Sequence, residues 1–158
     1  MTIKVRDARL PADEPAILSF VTGLQDYEAG FESDRRRDSD FAVEHWRDLQ
    51  HRCAEKHGAM FIAEEAGEPV GWSFAHEEHG EMFITEPERR HGFLAELFVI
   101  HDARSKGVGR ALIAACGGWA RGHGQKLLID GVLDQNNRAI RADEGPGNAP
   151  SHLFRATY

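Results

Sequence analysis

A short run that combines two glycines with cationic side chains is the part of this sequence best suited to chemistry. It consists of Arg104, Ser105, Lys106, Gly107, Val108 and Gly109, with Arg110 following directly. An apolar run ending in Val99 precedes this 104–109 loop, and an amphipathic stretch follows it, so the loop joins a predicted strand to the N-terminus of a predicted helix. Such a terminus presents unpaired N–H groups and the positive end of the helix dipole, and glycine lets an anion approach closely. The loop therefore predicts a phosphate-binding site.

The 104–109 loop departs from two common phosphate-binding motifs. A P-loop ends in Gly-Lys followed by Ser or Thr, and that ending is missing here. A dinucleotide fingerprint requires a third glycine three residues after Gly109, where this chain has Leu112. A tight turn that merely contains two glycines remains an alternative on these residues alone.

The rest of the chain predicts one domain, residues 1–158, because no internal repeat and no low-complexity linker divides it. A helix opens at Pro11 and Asp13, and a polar connection occupies 30–40. Apolar periodicity predicts further helices at 41–56, 106–122 and 136–142, and strands at 2–6, 60–63, 69–75, 92–99, 126–132 and 153–158. The predicted helix at 106–122 should turn one stripe inward, formed by Val108, Ala111, Leu112, Ala115 and Trp119. This element order indicates an α/β or α+β protein with a mixed sheet.

The pattern Arg-x-x-Gly-x-Gly after a strand, together with Asn136-x-x-Ala139 downstream, resembles the acetyl-CoA pyrophosphate loop of the GNAT superfamily of N-acetyltransferases. The resemblance covers essentially the whole chain, and residues 95–99 look especially like the diamine/polyamine acetyltransferase branch. It implies the GNAT acyl-CoA N-acyltransferase fold, a mixed central sheet with helices on both faces. It also implies acetyl-CoA as co-substrate, no metal, and a primary amine of a small molecule or peptide as acceptor.

The resemblance also implies roles for individual residues. The backbone of Leu97, Phe98 and Val99 would pair with the pantetheine arm, as in strand addition at a sheet edge. The pyrophosphate would lie on the 104–109 loop and Arg110, with Asn136 and Ala139 completing the cofactor site. The amine would attack the thioester directly, without a covalent enzyme intermediate, and a homodimer is left open.

Acid–base candidates are fewer. Glu96 interrupts an otherwise apolar strand, where its carboxylate could accept a proton or orient an amine. The alternative is a residue on the polar face of the sheet or a structural hydrogen-bonding partner. Tyr27 and Glu28 fall where relatives shape the acceptor site, although a solvated helix end is an alternative for either residue.

The sequence departs from the family pattern at Asp143, because many relatives have a tyrosine general acid seven residues after the asparagine. An ionised carboxylate cannot donate a proton to a leaving thiolate as a phenol can. Two interpretations follow. Either the thiolate is protonated by solvent or another group, or the domain is a weakly active or inactive acyl-CoA-binding regulatory module.

Composition excludes other classes of function. A net charge of −7 argues against a nucleic-acid binder, and no apolar run is long enough to span a membrane. The N-terminal residues show no signal-peptide core, so we expect a cytoplasmic protein. Cys53 and Cys116 are expected to be buried free thiols. The spacing of His76 and His79 does not suit a metal site, and we expect a solvated hairpin tip there.

Overall fold

A computed structural model of the chain describes residues 2–130 and 153–156. The strands are β1 Ile3–Asp7, β2 Ala59–Glu65, β3 Glu68–His79, β4 Arg90–Val99, β5 Leu127–Asp130 and β6 Leu153–Ala156. The α-helices are α1 Glu14–Ala29, α2 Phe41–Glu55, α3 Glu86–Arg89 and α4 Val108–Gly122, and a short 3-10 turn covers His101–Ala103. The strands lie in chain order in one sheet, antiparallel from β1 to β4 and parallel from β4 to β6. The predicted mixed sheet is thereby confirmed.

Two apolar layers cover the sheet. On one face, α1 and α2 bury Ile17, Phe20, Trp46 and Leu49 against the sheet. On the other face, the buried side of α4 packs against β4, β5 and neighbouring strands. A central sheet buried from both sides needs helices on both faces, and this arrangement is the one that the sequence predicted.

The apolar stripe of α4 differs from the prediction. Val108 and Leu112 are buried as expected, but Ala111, Ala115 and Trp119 are only half-buried. Fully buried positions that the predicted stripe omitted are Ile113, Cys116, Gly117 and Ala120. The helix turns a slightly different face towards the sheet, and Ala120 approaches β4 so closely that a methyl group on Gly92 would lie 3.1 Å from Ala120 Cβ. The helix predicted at 136–142 lies outside the described residues.

The expectation of a solvated hairpin tip around His76 is wrong. Strand β3 extends to His79, further than predicted, and pairs with β4 along this whole stretch. His76 consequently lies in the sheet at 1% exposure, between the rings of Phe74 and Phe93. His79 at the end of the strand is exposed, as expected.

Strand β4 loses one of its two neighbouring strands halfway along its length, and this loss creates an opening in the sheet. Its pairing with β5 covers only Gly92 to Leu94, whereas its pairing with β3 continues to Val99. The register between β3 and β4 shifts at the same point, so that Ala95 is an extra residue in β4. A bulge of this kind bends the strand and increases its twist. Among the described residues, no strand therefore pairs with the β5-facing edge of β4 beyond Leu94.

None of the helices in the described part of the chain combines the length and the apolar composition that a membrane-spanning segment requires.

Candidate active site

The second half of β4 presents free backbone groups to the opening in the sheet. The N–H of Ile100 donates to the carbonyl of Val70 at 2.9 Å, so Ile100 faces β3. Because backbone groups alternate in direction along an antiparallel ladder, Val99 and Leu97 point away from β3. These two residues thus direct their N–H and C=O groups along the open edge of β4. The Val99 carbonyl accepts from Arg104 Nε at 2.9 Å, and an extended ligand can pair with the remaining groups as an added strand.

The open edge of β4 leads towards the N-terminus of α4 through a strained turn. Ser105 and Gly107 both have positive φ, +64° and +86°, and Gly107 is the N-cap of the helix. Gly107 has no side chain with which to cap the helix, and the N–H of Ala111 donates to the carbonyl of Gly107 at the start of the helix. The N–H groups of Val108, Gly109 and Arg110 precede that bond, so they are the helix-terminal donors available to an anion.

Arg104 is oriented differently from a simple phosphate ligand. Its Nε donates to the carbonyl of Val99 at 2.9 Å, and its guanidinium lies 5.6 Å from the ring centres of both Tyr27 and Phe98. These contacts connect the 104–109 loop to the end of β4 and to α1, and cation–π attraction stabilises them. Lys106 Nζ lies 3.8 Å from Glu65 Oε1, and Arg110 is exposed at the surface.

Phe98 connects β4 to α1 at close range. A methyl group on Gly23 of α1 would lie only 2.5 Å from Phe98 Cζ, so only glycine permits this approach. The close packing brings Tyr27 and Glu28, one turn further along α1, to the same face of the sheet as Glu96.

Glu96 has a partner that the sequence did not suggest. His45 Nε2 of α2 donates to Glu96 Oε1 at 2.6 Å, and the two side chains are 25% and 10% exposed. These residues are 51 positions apart, so no local pattern connects them. With this partner and little exposure, Glu96 is a hydrogen-bonded side chain and not a solvated one, which fits both a role with the amine and a structural hydrogen bond.

A second carboxylate, Glu28, lies within electrostatic reach of this pair. Burial raises the pKa of Glu28, and the negative charge of Glu96 raises it further. Arg35 Nε approaches Glu28 Oε2 at 3.3 Å and acts in the opposite direction by lowering the pKa of that carboxyl. The structure thus assembles Tyr27, Glu28, His45 and Glu96 on one face of the sheet, beside the open edge of β4.

Several residues that the sequence singled out are not part of the site as described. Asn136, Ala139 and Asp143 lie outside the described residues. Burial raises the pKa of the Cys116 thiol to about 12, so this cysteine stays neutral and fills the core, as expected for a free thiol. Cys53 is free as well but only half-buried. Within residues 2–130 and 153–156 no three His, Cys, Asp or Glu side chains form a group that could hold a metal ion.

The chain matches the model of a known protein family. The model of the acetyltransferase (GNAT) family matches residues 22–142, which include the second half of α1, the whole of β4 and the 104–109 loop. No curated protein sequence matches the chain.

Solved structures share the fold over most of their length. A predicted acetyltransferase from Clostridium acetobutylicum, solved with acetyl-CoA, has a TM-score of 0.70 and 15% identity, covering 89% of this chain and 88% of that chain. An aminoglycoside 6'-N-acetyltransferase from Acinetobacter haemolyticus has a TM-score of 0.61 and 21% identity, covering 93% and 90%. Glucosamine-6-phosphate N-acetyltransferase from Arabidopsis thaliana has a TM-score of 0.64 and 14% identity, covering 100% and 99%. At these identities the likeness establishes the fold.

Proposed function

The chain belongs to the acetyltransferase (GNAT) family, and from that premise we propose that it transfers the acetyl group of acetyl-CoA to a primary amine of a small molecule or peptide. The family is one of acyltransferases that use acyl-CoA and acetylate amines. For this chain, we propose which donor and which acceptor it uses and which of its residues bind them.

One observation carries the proposal: the open edge of β4 leads directly to the N-terminus of α4. Extended and polar, the pantetheine arm of acetyl-CoA suits pairing with the N–H groups of Leu97 and Val99 and the carbonyl of Leu97. Its pyrophosphate suits the N–H groups of Val108, Gly109 and Arg110 at the positive end of the helix dipole. Phe98 and Arg104 support this cofactor site by joining β4, the 104–109 loop and α1.

Glu96 is the proton acceptor in this proposal. A primary amine is mainly protonated near neutral pH, and only the neutral amine is a nucleophile. Glu96 takes one proton from the ammonium group, after which the nitrogen bonds to the thioester carbon and the carbon–sulfur bond breaks. The electron pair stays on sulfur, and the second proton lost from nitrogen ends on the thiolate. Tyr27 and Glu28 border the position of the amine in this reaction.

The acceptor is proposed to be cationic, because two carboxylates of limited exposure, Glu28 and Glu96, face it. An ammonium group balances their charge, and water reaches these groups poorly enough for the attraction to matter. The resemblance of residues 95–99 to the diamine/polyamine branch adds short diamines and polyamines to the first acceptors worth testing.

Two measurements test the proposed function. Calorimetric titration with acetyl-CoA and CoA measures cofactor binding, and release of free thiol with a panel of diamines, aminosugars and lysine peptides measures transfer. Val99→Pro removes an N–H on the open edge without affecting the β3 ladder, and edge positions tolerate proline. We expect this variant to fold and to lose affinity for CoA. If a folded Val99→Pro protein binds CoA with unchanged affinity, the cofactor does not pair with the open edge of β4.

The alternative function is an acyl-CoA-binding regulatory module, and Asp143 in the position of the usual tyrosine is the observation that favours it. This alternative predicts tight acetyl-CoA binding without thiol release for every amine of the panel. Asp143→Tyr provides the matched variant. If solvent already protonates the thiolate well, the substitution changes the rate little, whereas a large gain identifies the missing acid as the cause of weak catalysis.

A further inference from the structure

The contact between His45 and Glu96 joins two elements that meet only in the folded protein. Glu96 lies on β4 between Leu94, the last residue paired with β5, and Leu97, the first residue whose backbone faces the open edge. His45 comes from the first turns of α2 and reaches the carboxylate at 2.6 Å. Its location beside the open edge makes Glu96 the carboxylate best placed to meet an amine there.

We infer that His45 is a positioning residue that orients the Glu96 carboxylate for proton transfer from the acceptor amine. This inference rests on the proposed function, since it assigns a residue to that reaction. His45 acts through Glu96 and does not itself contact the amine. No motif or spacing in the sequence points to it.

The imidazole is suited to this role because a ring stack holds it as well as its hydrogen bond to Glu96. The His45 ring stacks on Phe41, with centroids 5.2 Å apart and an interplanar angle of 15°. The guanidinium of Arg36 lies over the Phe41 ring at 5.7 Å and is itself paired with Glu44. A ring fixed in this way loses little conformational entropy when its N–H meets the carboxylate.

The charged groups around His45 and Glu96 include one that repels the Glu96 carboxylate and one that weakens this repulsion. Glu28 of α1 opposes the charge of Glu96, as the raised pKa of Glu28 shows. Arg35 in the connection between α1 and α2 partly neutralises Glu28. On the sheet side, β3 presents the buried apolar ring of Phe74 opposite Glu96. Among the described residues, the N–H of His45 is thus the group that directly offsets the charge of Glu96 until the ammonium arrives.

The role assigns a path to each proton. The ammonium group gives one proton to Glu96, and its N–H bond electrons become the lone pair that attacks the thioester. The His45 N–H remains hydrogen-bonded to the carboxyl group throughout and orients its free oxygen towards the amine. Release of the proton that Glu96 took from the amine to solvent then restores the carboxylate for the next turnover.

Two substitutions of His45 separate its hydrogen bond from its packing. His45→Phe keeps a ring that can stack on Phe41 but removes the donor, whereas His45→Gln keeps an N–H donor near the position of Nε2 and removes the ring. We expect His45→Phe to lower kcat about 10- to 100-fold at saturating acetyl-CoA, which is the usual effect of losing a hydrogen bond to a charged group. The KM for acetyl-CoA should stay unchanged, and His45→Gln should recover most of the activity.

A double variant supplies a readout that a purely structural role would leave unchanged. Glu96→Gln should lower kcat about 100-fold or more. Adding His45→Phe to Glu96→Gln should cause no further loss, because residues that act as one unit are not additive.

The outcomes distinguish this inference from the proposed function. Wild-type protein that binds acetyl-CoA but releases no thiol with any amine would overturn the proposed transferase and the role of His45 together. A working wild type in which His45→Phe keeps full activity, or in which the two substitutions multiply, would overturn the role of His45 alone. Thermal melting of each variant confirms that the protein under comparison is folded.

Discussion

Replacing Gly107 by alanine tests whether the N-terminus of α4 binds the cofactor. Gly107 is the N-cap of α4 at φ +86° and ψ +6°, a left-handed conformation that residues with a side chain adopt at a cost. A methyl group at this position would meet no atom within 4 Å. The substitution therefore introduces backbone strain without a steric clash.

The size of the effect follows from that geometry. A left-handed conformation costs an alanine about 1–2 kcal/mol, and a domain of this length loses roughly 2–4 °C of Tm per kcal/mol. If the turn relaxes away from its native shape, cofactor binding must restore that shape. The same free energy then appears as a loss of affinity of about 5- to 30-fold, since 1.4 kcal/mol corresponds to a factor of ten.

Gly67 provides a matched control at a distance from the site. It lies in the β2–β3 turn at φ +79°, and a methyl group there also meets nothing within 4 Å. Gly67→Ala should consequently lower Tm by about as much as Gly107→Ala does. Only Gly107→Ala should weaken the binding of acetyl-CoA in calorimetric titrations. The two variants together separate loss of stability from loss of the site.

The result that refutes this reasoning is specific. If Gly107→Ala lowers Tm but binds acetyl-CoA as tightly as wild type, the helix terminus in this conformation does not hold the pyrophosphate. If both variants weaken binding equally, the effect of Gly107→Ala reflects stability and says nothing about the site.

Three further predictions concern stability. Burial raises the pKa of Glu28, so its ionisation opposes folding, and the stability present below the ordinary carboxyl pKa is lost as pH rises through the folded value. Glu28→Gln should therefore raise Tm near about pH 8 and change it little near about pH 4, whereas exposed Glu32→Gln should do neither. Burial lowers the pKa of His76, so its contribution to stability is present above the ordinary histidine pKa of about 6.5 and is lost as pH falls through the folded value. His76→Asn keeps a donor for the neighbouring carbonyl, and its Tm should fall less than that of wild type on acidification. Gly23→Ala places a methyl group 2.5 Å from Phe98 Cζ and should lower Tm despite the better helix propensity of alanine, because overpacking costs about 1–3 kcal/mol. Adding Phe98→Leu should recover part of that loss, and equal Tm values for the single and double variants would contradict the packing argument.

Local patterns were enough to predict most of the elements. The alternation in β1, the apolar run of β4 and the helical spacing of α1 and α2 are each set by a few neighbouring residues. Boundaries and faces were less certain because packing decides them. Strand β3 runs to His79 only because β4 continues beside it, and α4 turns its small residues towards the sheet.

The candidate site, like the fold, could be predicted only in part from the sequence. The 104–109 loop could be found in the sequence, since glycine chemistry and the start of a helix are local properties of the chain. Arg104 was recognised as part of that loop, but its contacts with Val99, Tyr27 and Phe98 depend on the position of α1. Asn136, Ala139 and Asp143 remain predictions of the sequence alone.

By itself, then, the sequence determined the likeness to a family, the mixed sheet and the glycine-containing turn predicted to bind an anion, because each depends on residues close together in the chain. Only the tertiary structure decided that β4 parts from β5 after Leu94, which leaves the open edge where we propose that the cofactor binds. It alone also decided that His45 meets Glu96 across 51 positions and that Glu28 adds its charge nearby. Such contacts arise from the packing of helices against a sheet, and no spacing of residues along the chain encodes them.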